Sequence, residues 1–75
     1  MPTVMCMDLQ SAQDHIQATT GVFYSRSVDA SGEGRMQIID SNWIVVAQEP
    51  APGTPIGEGD AILAVLKDDE VGGFC

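Results

Sequence analysis

The stretch Trp43-Ile44-Val45-Val46-Ala47-Gln48-Glu49-Pro50-Ala51-Pro52-Gly53-Thr54-Pro55, followed after Ile56 and the run Gly57-Glu58-Gly59-Asp60 by Ala61-Ile62-Leu63-Ala64-Val65-Leu66, decides the fold. Its two apolar runs are short, rich in β-branched residues and bounded by turn formers, so they read as strands. The prolines between them have no N–H to give to a central ladder, which ends the first strand at Gln48. Pro52-Gly53 suits the second and third positions of a type II turn: proline presets the first φ and glycine supplies the positive one. Gly57 to Asp60 is a second turn, and Lys67 marks the end of the second strand. Which side of each strand faces inward stays open by one register step, because a shift of one residue exchanges the two faces. With Ile44, Val46, Ile62 and Ala64 inward, the two strands cover one apolar surface.

Upstream, Leu9 to Thr20 reads as a helix. Leu9, Ala12, Ile16 and Thr20 recur at spacings of three and four, while Gln10, Ser11, Asp14 and Gln17 fall on the opposite face. Asp8 is placed to cap it, its carboxylate accepting from an orphan amide of the first turn. Gly21 follows as the residue that closes a helix in the left-handed conformation. Val4 to Met7 suits a brief strand or an extended lead-in. Val22 to Val28 is rich in β formers and reads as a strand with Phe23 inward. Asp29 to Arg35 is a polar, glycine-bearing loop, Met36 to Ile39 a short extended or helical piece, and Asp40 to Asn42 turn-like. Residues 68–75 form an acidic, flexible tail.

Composition narrows the functions. Eleven acids face three bases, Arg26, Arg35 and Lys67, for a formal net charge of −8. Nucleic acid and anionic membranes need the opposite sign, so neither is an expected partner. No stretch reaches the ~20 apolar residues of a membrane span. The start of the chain lacks the basic and apolar regions of a signal peptide, which predicts a cytoplasmic location unless this is part of an exported protein. In that compartment Cys6 and Cys75 are expected as thiols, with Cys6 a small core hydrophobe and Cys75 mobile. A bond between them requires the two ends of the chain to meet.

Pro2-Thr3-Val4-Met5-Cys6-Met7-Asp8-Leu9, with Ala12, resembles the opening of the PASTA domains found on penicillin-binding proteins and Ser/Thr kinases. Val45-Val46-Ala47-Gln48-Glu49-Pro50-Ala51-Pro52-Gly53-Thr54 is similar to the family's most recognisable stretch, and Gly57, Asp60 and Ala61 to Leu66 fit its closing strand. The likeness spans residues 2–67. Cys6 departs from it, standing where the family has glycine. The longer section with Gly32, Gly34, Arg35, Gln37, Asp40, Asn42 and Trp43 is similar to stand-alone variants of actinobacteria and their phages, mycobacteriophages included. The resemblance implies a non-enzymatic domain over 1–67 that binds partner proteins or peptidoglycan fragments (muropeptides), with no cofactor.

The remaining constellations carry little chemistry. His15 and Asp14 are neighbours on a helix and point in different directions, so they form no dyad. Cys6, His15 and Cys75 lack the spacing of a zinc site. Asp29, Ser31 and Glu33 read as a plain turn without the closing glutamate of a calcium loop. Gly32-Glu33-Gly34 has neither the lysine nor the following helix of a phosphate loop. Trp43 is a core residue on its bland reading. On the sharper one it is an aromatic platform flanked by Arg35, Asp40 and Asn42, with Tyr24 extending the surface for a sugar or peptide.

The expected architecture is therefore α+β: one helix packed on a small, mostly antiparallel three-stranded sheet, with a short N-terminal strand. Leu9, Ala12, Ile16, Phe23, Ile44, Val46, Ile62 and Ala64 are its expected core. An exposed sheet edge would allow a monomer to form a weak dimer. Three functions follow: an interaction module engaging a host protein of cell-wall synthesis or growth, a muropeptide binder, or a structural unit of a larger exported protein.

Overall fold

The computed structural model describes residues 1–34 and 42–75. The elements are α1 (Leu9–Thr20), β1 (Arg26–Asp29), β2 (Trp43–Glu49) and β3 (Ile62–Lys67). One helix packs against one face of a three-stranded mixed sheet, an α+β fold.

The helix forms where its spacing and caps place it. Asp8 is extended (φ −64°, ψ 153°) and its carboxylate accepts from Ser11 N at 3.0 Å and Ser11 Oγ at 2.7 Å. Gly21 closes the helix at φ 77°, its N–H donating to Gln17 O. Leu9, Ala12 and Ile16 are buried and form the inward stripe. Full burial of Leu9 and Ile16 contributes ~1.5–3 kcal/mol each.

The sheet order is β1-β3-β2, with β2 antiparallel and β1 parallel to β3. β3 takes the centre, paired with β1 on one side and with β2 on the other. Its inward residues are Leu63 and Val65, both fully buried, while Ile62 and Ala64 face the other way. The expected inward set on β3 is thus shifted by one residue.

On β2 the inward residues begin with Trp43 and Val45, and Ile44 faces away, half-buried. Val46 is then the extra residue of a β-bulge, since Val45 pairs with Val65 but Ala47 with Ala64. The bulge reverses the alternation, so Gln48, opposite the buried Leu63, returns to the helix-facing side. There its amide replaces a strand: Oε1 accepts from Val4 N at 2.8 Å and Nε2 donates to Pro2 O at 3.0 Å. Val46 is buried without joining the helix-facing core, where it was expected.

The expected strand at residues 4–7 is a tight turn, with Met7 N donating to Val4 O at 3.2 Å and Cys6 at φ 63°. It still lines the outer edge of β2 through Cys6 N to Val45 O (2.8 Å) and Val45 N to Met7 O (2.9 Å). That edge is therefore occupied by the chain itself. The Ala51–Thr54 turn has Gly53 at φ 91°, as a type II turn needs, and Gly53 N reaches Met1 O at 2.8 Å.

Cys6 and Cys75 form a disulfide across a separation of 69 residues. Neither is the thiol expected: Cys6 is exposed instead of core, and Cys75 is pinned instead of mobile. The physical reason is the turn at 4–7, which points Cys6 outward while the segment after β3 returns through a short 3₁₀ turn at Gly72–Phe74. Among the described residues no helix is long and apolar enough to cross a membrane.

Candidate functional site

Large apolar side chains exposed on a chain of this size mark the place to look. Phe23 is 75% exposed, Tyr24 58% and Val28 48%. The strand expected over 22–28 begins only at Arg26, because residues 22–25 lie beside the Gly57–Asp60 turn and not beside a strand. Val22 is the residue that turns inward, which leaves Phe23 outside the core to which periodicity assigned it.

This segment is nevertheless held firmly. The Glu58 carboxylate accepts from Phe23 N at 2.9 Å and from Tyr24 N at 2.7 Å, taking the place of a ladder. Gly59 N donates to Tyr24 O at 2.9 Å. Gly59 sits at φ 80°, and a Cβ there would lie 3.5 Å from the Tyr24 ring and 3.7 Å from Arg26 Nη2. These are ordinary contact distances, so the positive φ, and not a lack of space, is what favours glycine at this position. Asp60 fixes the turn at 57–60 by accepting from Gly57 N at 2.8 Å. Two aromatic side chains are consequently presented from a fixed backbone, which lowers the ordering cost of a contact.

Of the five residues singled out in the sequence, Tyr24 is in this segment, where it and Phe23 form an exposed ledge. Arg35 and Asp40 lie outside the described residues. Asn42 is exposed, and its carbonyl accepts from Asp68 N at 2.9 Å. Trp43 is 3% exposed within the core, with Lys67 Nζ 5.9 Å from its ring centroid. The structure does not bring Trp43 and Tyr24 onto one surface. Glu58 and Phe23 escaped the sequence reading: an acid between two glycines signals a turn, and only the fold shows what its carboxylate holds.

The sheet face away from α1 is also open in part. A shallow concavity of about 190 Å³ is lined by Val28, Ala47, Gln48, Glu49, Ile62 and Ala64. At the opposite end of that face Leu66 is buried.

Among the described residues no three His, Cys, Asp or Glu side chains are grouped to hold a metal ion. The Asp29–Ser31 segment is an Asx turn, with Ser31 N and Oγ both donating to Asp29 Oδ1, at 2.9 and 2.7 Å. No protein-family model matches the chain, and no curated protein or solved structure does either.

Proposed function

We propose that the chain is a non-enzymatic, PASTA-like interaction module that engages a protein partner through the Phe23–Tyr24 ledge. The observation that carries this reading is the pairing of exposure with rigidity: two outward aromatic residues whose amides are both fixed by Glu58. Aromatic anchors on a fixed backbone are where binding energy concentrates. The PASTA resemblance supplies the partner class, a protein of cell-wall synthesis or growth. Cys6 stands where that family has glycine and adopts φ 63°, a conformation glycine favours, which supports the resemblance.

The disulfide bears on the compartment. Bonds of this kind persist in oxidising surroundings and are rare in the cytoplasm. We therefore favour action outside the cytoplasm over the cytoplasmic location expected from the first residues, with the chain as an exported unit or part of one.

The second reading, a muropeptide binder, is favoured by one observation: the Tyr24 ring and Arg26 Nη2 both lie close to Gly59. That pairing suits a ligand carrying both a carboxylate and a sugar or peptide face. Amide-shift titration separates the readings. Muropeptide binding predicts saturating shifts at Tyr24, Arg26 and Gly59. A protein partner predicts capture by the wild type that Phe23→Ala with Tyr24→Ala abolishes at unchanged stability. Capture indifferent to both substitutions, with no shifts at the ledge, refutes both.

A further inference from the structure

We propose that the sheet face opposite α1 pairs with the same face of a second copy, making a weak two-fold dimer. This goes beyond the protein-partner reading of Phe23 and Tyr24 and does not depend on it; Arg26 is the one residue it shares with the muropeptide reading, which competes with it for that side chain.

The argument starts from cross-strand register. Paired residues on neighbouring strands point to the same side, so Arg26, Ile62 and Glu49 form one row across the sheet. Val28, Ala64 and Ala47 form the next row on the same face. Arg26, Val28, Ala47 and Glu49 are exposed, and Ile62 and Ala64 are half-buried at the centre. The face is thus an apolar strip with a cation at one edge and an anion at the other. No ion pair joins Arg26 or Glu49 to another described residue. The bulge at Val46 creates this arrangement: without the extra residue, Glu49 would point to the helix side.

Such a face is complementary to itself. A two-fold axis parallel to β3, lying above Ile62 and Ala64, sets β1 of one copy over β2 of the other. Arg26 then meets Glu49 of the second copy, twice by symmetry. Val28 meets Ala47, a large side chain against a small one, and Ala64 meets Ala64, which permits close approach. The strands of the two copies run aligned, as in packed sheets generally. An interface related by a two-fold axis needs each contact to recur in reverse, and these rows provide it. The patch is small, so the dimer is weak. The route is through the sheet face and not through the exposed edge expected from sequence; of the two outer strands, β2 has its edge lined by the 4–7 turn.

Sedimentation equilibrium of the oxidised full chain up to about 1 mM tests the proposal, a range that reaches weak complexes. The wild type should dimerise. Arg26→Glu and Glu49→Arg should each weaken the dimer roughly tenfold, and the double variant should restore most of the loss. Glu49→Arg makes the chain less negative, so a general charge effect would tighten association where specific pairing loosens it. Val28→Asp should abolish the dimer while leaving the helical circular dichroism intact. A wild type monomeric throughout, an undiminished Glu49→Arg dimer, or a double swap that fails to recover overturns the proposal.

Discussion

Asp8 shows how much one side chain settles. Its carboxylate holds the Ser11 hydroxyl and amide, and these bonds, the hydroxyl first, keep its pKa below the usual 3.8. A carboxyl whose folded pKa is lowered stabilises the fold fully above its unfolded value. That contribution disappears as pH falls through the lower folded value. Asp8→Ala should therefore cost ~1 kcal/mol at neutral pH in urea melts. The difference between variant and wild type should shrink below about pH 4. Asp8→Asn, which caps without a charge, should lose less stability on acidification than the wild type does. Gln48 is the second such residue. Gln48→Ala leaves Val4 N and Pro2 O without their partner, and should cost about 1–3 kcal/mol with faster amide exchange at Val4. Asp8 was legible because capping is local. Gln48 was not, because its partners lie 44 and 46 residues away.

At the scale of elements, α1 was legible to its caps, since spacing and capping act within a few residues. The strands were legible as segments but not in their facing. Ala61 to Leu66 has no polar alternation, so neither face announces itself, and β3 turns Leu63 and Val65 inward. On β2 the Val46 bulge changes the alternation midway, which a strict period of two cannot express. β1 is shorter than its β-forming run because Glu58, and not a neighbouring strand, satisfies the amides before it. Glu58→Ala should accordingly raise amide exchange at Phe23 and Tyr24 by tenfold or more, roughly the worth of one charge-assisted bond each. Exchange in β3 should be unchanged. If Leu63 and Val65 lose protection equally, the clamp is part of the global unfolding unit and not a local device.

The molecule as a whole depends on its longest link. A disulfide spanning 69 residues removes much of the freedom of the unfolded chain. A small domain also has little core to offset the loss of that bond. Reduction, or Cys6→Ser with Cys75→Ser, should lower stability by about 2–5 kcal/mol. The melting temperature should fall by ten degrees or more, roughly, for a chain of this length. Thermal melts with and without reductant measure it directly, and the double serine variant should show no response to reductant. The net charge of −8 adds a separate expectation: moderate salt should raise the melting temperature by screening self-repulsion, in the reduced and oxidised forms alike.

The sequence by itself determined the helix with both caps, the turns at Pro52-Gly53 and at Gly57 to Asp60, the apolar segments that become β2 and β3, and an acidic α+β chain. All of these rest on contacts between residues close in sequence. Tertiary structure alone decided that β3 enters between β1 and β2, that β1 runs parallel to it, that Val46 bulges, that Phe23 stays outside and that Cys6 meets Cys75. Each of these depends on which distant segments come together, and the free energy of that meeting belongs to pairs of segments, not to either one read alone.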